Sequence, residues 1–319
     1  MDPQLQKELA EFAKFGDKVR KVNSPESREV GAKFMSKGAA EPSDIFISTA
    51  PKAGTTWMQQ ICHQLRSGGG DMDFEDISMV IPFVEMAHDL GINLDDEQRF
   101  KPSVFKTHVW EPLVAKGGRY IIVVRHPYDL AVSFFKFMEG WTFKVGDISP
   151  DTMTNFFFLK LGEPDQQKGG ICSAFHHMAS WWPRHADPDV LWVFFEDMKE
   201  DLQAQVERVA AFMDITDPAV IAQAVHKSTF AFMKEHQVHF NERPTKRMRN
   251  EVMGLEPEAG AGQGKVRVGG GQQHLLSDMT KAAIDQRWRD VCQPVMGAAS
   301  YAEWREAWKA EQASKLNKV

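Results

Sequence analysis

The sequence predicts an α/β fold in a single domain, with a central, mainly parallel sheet flanked by helices. Three observations predict it. Four short runs rich in β-branched and aromatic residues, Ile45 to Thr49, Val104 to Thr107, Tyr120 to Val124 and Val190 to Phe195, read as buried strands. Helical patterns alternate with them at Thr56 to Arg66, Asp129 to Met138, Ala174 to His185 and Met198 to Met213, the order of a doubly wound sheet. The turn joining the first strand to the first of these helices carries glycine and lysine, and in such sheets ligands gather at the carboxyl ends of the strands.

The chain has 319 residues, of which 43% are apolar and 26% charged, enough for a sizeable core beneath a solvated surface. No linker interrupts it, so one domain over residues 1–319 is expected. A net charge of -6 argues against general binding to nucleic acid or to an anionic membrane, so any polyanion site has to be a local cluster of cations. The cysteines Cys62, Cys172 and Cys292 lie far apart without the spacing of a zinc site, which suits a reducing compartment and buried, inert thiols.

Residues 1–40 read as a helical segment. From Met1 to Arg20, Leu5, Leu9, Phe12 and Phe15 are interleaved with charges, the pattern of an amphipathic helix rather than of a signal peptide. No apolar run reaches the roughly 20 residues needed to cross a bilayer, so cytoplasmic residence without a membrane partner is expected. Residues 241–271 combine many glycines with Arg243, Lys246, Arg247, Arg249, Lys265 and Arg267, and read as a long basic lid loop over an anion. Ser277 to Cys292 and Tyr301 to Ala313 read as two closing helices.

The segment Asp44 to Trp57, DIFISTAPKAGTTW, runs from a strand through a tight loop into a helix. Gly54 lets the backbone approach an anion, the helix start near Thr55 and Thr56 offers unpaired N–H groups, and Lys52 adds a charge. The same residues also suit a plain turn capped by Thr55. The pattern is not GxxxxGK[ST], because the lysine precedes the glycine. At the second strand, Phe105-Lys106-Thr107-His108 puts Lys106 and His108 on one side at the strand's carboxyl end. His108 is one of eleven histidines and by itself suits a hydrogen-bonded core position as well as catalysis. The third strand ends in Arg125, followed by HPYDLAVS, so that Arg125 and Ser133 suit a phosphate, or else Arg125 pairs with Asp129 and Ser133 bonds back to its own helix.

PKAGTTW at Pro51 to Trp57 resembles the PKSGTTW signature of the cytosolic sulfotransferases, with Ala53 in place of serine. KTHVW resembles that family's KTH motif, RHPYDLAVS its RNPxDxxxS pattern, FEDMK at Phe195 its YEDMK segment, and STFAFM its adenine-closing segment. The resemblance implies a P-loop-like phosphosulfate-binding loop and 3′-phosphoadenosine-5′-phosphosulfate (PAPS) as donor, with 3′,5′-adenosine bisphosphate (PAP) as product and no metal. It implies that Lys52 contacts the bridging oxygen, that Gly54, Thr55 and Thr56 bind the 5′-phosphate, and that Ala53 belongs to the same donor-binding loop. Trp57 and Phe195 would face the adenine, with Ser228, Phe230 and Met233 closing over it. Arg125 and Ser133, with Arg267 and Gly269 from a degenerate RKGxxG loop, would hold the 3′-phosphate. His108 is the implied general base, with Lys52 and Lys106 offsetting developing charge in an in-line displacement.

The partner implied is a small-molecule acceptor with a hydroxyl or amine. Its pocket is expected to draw on Phe83, Trp110, Phe134, Phe137, Trp141, Phe143 and Phe156 to Phe158, residues that equally suit plain core, and Glu85 and Glu139 suit an amine or guanidinium. Two other readings stay open: a P-loop-type kinase, which needs a strand-end aspartate for magnesium, and a nucleotide-binding protein of this fold with impaired catalysis. The sequence leaves the oligomeric state open.

Overall fold

The computed structural model describes residues 3–19, 21, 24–161, 173–261, 264–267 and 270–316. Its centre is a sheet of β1 (Ile45–Thr49), β2 (Val104–Thr107), β3 (Arg119–Val124) and β4 (Val190–Phe194), in the order β2-β1-β3-β4. All three pairings are parallel, with Ser48 beside Thr107 on one side and Ile122 on the other. A parallel sheet is covered on both faces, which is why these strands are near-continuous apolar runs.

Alternation along each strand sorts the core into two layers. Phe46, Phe105, Tyr120, Ile122, Trp192 and Phe194 pack on one face, against Trp181, Trp288, Trp304 and the helical segments around them. Ile45, Ile47, Val104, Ile121, Val123 and Val193 face the other layer, with Met58, Ile61 and Leu65 of the Thr55–Arg66 helix and Val206 and Val209 of the Leu202–Phe212 helix. Chain connections leave β1 toward β2 on one side and β3 on the other. That reversal opens a crevice at the carboxyl end of β1.

Two elements outside the sheet complete the walls of that crevice. The Pro3–Val19 helix buries Phe15 against Phe143 (5.8 Å between rings) and Phe157 (5.0 Å), and its last turn is tied by Lys18 Nζ to the Thr142 carbonyl at 2.8 Å. Residues 241–271 are not one long loop. Arg243–Met253 is a helix with Pro244 in its first turn and a stop at Gly254, whose φ of +67° is the left-handed conformation glycine favours. Its inner face is Thr245, Lys246, Arg249, Asn250 and Met253, a helical repeat that the basic and polar composition conceals. Asn250 Oδ1 accepts from Trp141 Nε1 at 2.7 Å, which fixes the helix over the crevice.

Smaller departures have local causes. The expected Met198–Met213 helix is two, Phe195–Glu200 and Leu202–Phe212. It is broken at Asp201, whose carboxylate caps the second by accepting from the Ala204 N–H at 3.0 Å. The helix from Ala174 ends at Trp181, and Pro183 follows in a short 3-10 turn. Cys62 and Cys292 are free and buried, while Cys172 lies outside the described residues. No helix among the described residues is long and apolar enough to cross a membrane.

Candidate active site

A cavity of about 890 Å³ opens at the tips of β1, β2 and β3, and its wall includes Lys52, Lys106, His108 and Arg125. The loop after β1 carries Lys52 at φ +74° and Gly54 at φ +117°, turning the chain into the Thr55–Arg66 helix so that the first N–H groups of that helix face the cavity. A Cβ at Gly54 would come within 2.9 Å of the Phe195 ring and 3.3 Å of Met198. Gly54→Ala is therefore expected to lower stability by about 1–3 kcal/mol and to crowd an anion out of the loop, which urea denaturation together with nucleotide titration will read.

Lys52 Nζ lies 4.0 Å from the Phe137 ring centre, and loss of solvent around it, followed by repulsion from Lys265, drives its ammonium well below the usual lysine range. Arg125 donates to the Lys52 carbonyl at 3.2 Å and lies 4.2 Å from the Phe195 ring centre, while among the described residues its Nε has no partner and Asp129 is not bonded to it. Ser133 lines the cavity without bonding to the preceding turn. Arg267 joins this end of the cavity, donating to the carbonyls of Gly264 and Lys136, and Lys199 Nζ approaches Gly270. Arg125, Arg267 and Lys199 thus gather at one end of the cavity, with the Asp129 carboxylate on the same wall, and guanidinium forks there suit a phosphate.

His108 occupies the strand end next to β1. Its Nδ1 lies 2.8 Å from the Thr49 carbonyl oxygen, an acceptor only, so Nδ1 carries the proton and Nε2 keeps its lone pair. Burial first, then the Lys106 charge, lowers its pKa well below that of a free imidazole, so the neutral form persists. Behind it, Glu85 Oε1 accepts from the His108 N–H at 2.6 Å and from Thr107 Oγ1 at 2.9 Å, anchoring the strand end. Lys106 Nζ pairs with Glu242 at 2.8 Å and lies 4.1 Å from the Phe83 ring centre. Glu242 also pairs with Lys265. Burial would raise its carboxyl, but the two lysines outweigh burial and hold it ionised.

Most expected site residues meet here: Lys52, Gly54, Thr55, Thr56, Trp57, Phe83, Lys106, His108, Arg125, Ser133, Phe137, Trp141, Phe195, Phe230, Met233 and Arg267 all line the one cavity. Others do not. Ala53 is sealed in the core at 1% exposure. Trp110 lies outside the cavity wall, because the chain turns away after Val109 into a 3-10 turn at Glu111. Ser228 contributes its carbonyl to the Trp57 indole N–H at 2.7 Å, but its side chain is buried off the wall. Gly269 lies outside the described residues.

Glu85 and Glu139 do not line the cavity. Glu85 Oε1 anchors the His108 strand end, its Oε2 has no hydrogen-bond partner among the described residues, and Glu139 pairs with Lys136 at 2.8 Å. Sequence reasoning missed Glu242, Arg28 and Thr229 on the wall. Glu242 had a faint signal, as an acid inside a basic run, whereas Arg28 had none.

Comparison with known proteins follows the same lines. The sulfotransferase domain family matches residues 42–298. Human Sulfotransferase 1E1 is 29% identical over 210 residues, covering 62% of this chain and 68% of that protein, and rat Sulfotransferase 1A1 is 29% identical over 225 residues, covering 67% and 75%. Among solved structures, retinol dehydratase in complex with androsterone and inactive cofactor PAP superposes with a TM-score of 0.61 at 16% identity, over 83% of this chain and 85% of that one. Mouse sulfotransferase SULT7A1 complexed with PAP gives 0.55 at 20% identity, over 82% and 89%. At those identities the superpositions show a shared fold.

Proposed function

The chain belongs to the sulfotransferase family, and on that footing we propose that it moves the sulfuryl group of PAPS to a hydroxyl or amine of a small-molecule acceptor, with His108 as general base. One observation carries the proposal: Lys52, Lys106, His108 and Arg125, from the tips of three neighbouring strands, line one cavity. The PAP held by retinol dehydratase and by mouse SULT7A1 supports the choice of nucleotide.

Placement on the cavity wall supports a role for each residue. The Thr55 and Thr56 helix start and Lys52 hold the 5′-phosphosulfate, and Arg125, Ser133 and Arg267 take the 3′-phosphate. Trp57, Phe195, Phe230 and Met233 enclose the adenine, with Trp57 and Phe195 at 5.6 Å in an edge-on pair. His108 Nε2 removes the acceptor proton as the acceptor oxygen bonds to sulfur. The bond from sulfur to the bridging oxygen breaks, and Lys52 offsets the charge left on the departing bisphosphate. Lys106 faces the transferring oxygens once a donor anion replaces Glu242 on it. In the same reading the enzyme works in the cytoplasm, which its free, buried Cys62 and Cys292 thiols suit.

The kinase alternative is less well supported. Glu196, the first carboxylate past the end of β4, already accepts from the His126 N–H at 2.9 Å and the Tyr301 hydroxyl at 2.8 Å. The deciding measurement is thermal unfolding with each nucleotide. PAP at a hundredfold excess over its Kd is expected to add about 2.7 kcal/mol of apparent stability. A larger gain with ATP and magnesium would sink the assignment.

A further inference from the structure

Besides the residues assigned to the nucleotide and to His108, the cavity wall carries two arginines. Arg249 comes from the inner face of the Arg243–Met253 helix and Arg28 from the Pro25–Ser36 helix. Both helices pack on the short His88–Leu90 turn, and Arg28 and Arg249 both line the cavity. Phe83, Met138, Trp141 and Phe157 furnish apolar parts of the same wall.

Arg249 is only 7% exposed, and no hydrogen bond or ion pair reaches its guanidinium among the described residues; its Nε is a buried donor with nothing to bond. Arg28 is likewise unpaired among the described residues. The carboxylates whose field reaches Arg249 are committed elsewhere. Glu242 is held by Lys106 and Lys265, and Asp89 accepts from the Ser24 hydroxyl at 2.5 Å and N–H at 3.3 Å. Burial pulls the Arg249 guanidinium down to about 10, which still leaves it charged at neutral pH. A buried, unpaired charge destabilises the fold unless a ligand completes it.

We infer that the acceptor is an anion: a molecule with an apolar body, a hydroxyl at the His108 end, and a carboxylate, phosphate or sulfate that Arg249 and Arg28 grip at the other. This rests on the sulfotransferase reading and adds the substrate class. A planar guanidinium fork matches any of these oxyanions through paired hydrogen bonds. An amine or guanidinium acceptor would meet two like charges instead.

The test is acceptor binding to the PAP-saturated enzyme, by calorimetry, with matched probes of two lengths. These are 4-hydroxyphenylacetate and 6-hydroxy-2-naphthoate, each against its neutral amide, with tyramine as the cation and 4-hydroxyphenyl phosphate and sulfate as the other oxyanions. At one length or the other, the carboxylate is expected to bind at least 10-fold more tightly than its amide. In Arg249→Met that ratio should fall toward one, and in Arg28→Met it should fall partway. Arg249→Met should also raise the melting temperature of the ligand-free protein, since it removes a buried charge that lacks a partner, whereas a merely structural arginine would give a loss.

Equal or better binding of the amides or tyramine, a preference that survives both substitutions, or no oxyanion binding at either length would overturn the inference. PAP affinity, measured in the same titrations, separates the two levels. Failure to bind PAP defeats the sulfotransferase reading, while PAP binding without a charge preference defeats only the anionic acceptor. Should Arg249→Met fail to fold, Arg28→Met and the wild-type probe ratios decide alone.

Discussion

Replacing His108 by alanine is expected to cut turnover by about 10²–10⁴-fold, the usual worth of a positioned general base. PAP affinity should change less than threefold, because the ring touches the nucleotide loop only through Thr49. The wild-type pH profile carries the same signature. Burial and the neighbouring Lys106 lower the imidazole pKa, so the proton-accepting form persists below the ordinary histidine range, and kcat/KM should hold nearly level as pH falls from 8 through 6.5. An acid limb centred near 6.5 or above, or near-normal turnover in His108→Ala, would remove His108 from its role.

The second large effect belongs to Arg125. Arg125→Ala is expected to weaken PAP roughly 10²–10³-fold, since a buried cation that pairs with phosphate typically contributes about 2–5 kcal/mol. Turnover at saturating donor should suffer much less. Arg125 Nε has no hydrogen-bond partner among the described residues, and its guanidinium lies on the Phe195 ring at the cavity wall. Isothermal titration of PAP checks the first statement and single-turnover kinetics the second. A large fall in turnover with PAP binding intact would move Arg125 from the phosphate to the chemistry.

Much of this was legible from residues alone, for definable reasons. The strands β1 and β2 keep the bounds expected from their β-branched and aromatic residues, each closing on a buried threonine. The loop after β1 was legible because Gly54, at φ +117°, is the residue type such a backbone favours, whereas the left-handed Lys52 carried no such signal. The Arg243–Met253 helix was hidden because its buried face is lysine, arginine and asparagine, which hydropathy cannot tell from a solvated loop. Trp110 misled for the opposite reason, since an aromatic beside a catalytic motif says nothing about which way the chain turns next. The pairing of Lys106 with Glu242 joins residues 136 apart in sequence and exists only in three dimensions.

That pairing has a bearing on what the enzyme ignores. A carboxylate tethered on Lys106 is present at high effective concentration, so a loose chloride or inorganic sulfate must compete with a bond that never diffuses away. A ligand already moored at the glycine loop and at Arg125 is tethered too, and can meet Glu242 on equal terms. On the proposed function, the built-in counter-ion would act as a filter, leaving Lys106 open to a nucleotide's sulfonate and closed to the free oxyanions of the surrounding solution.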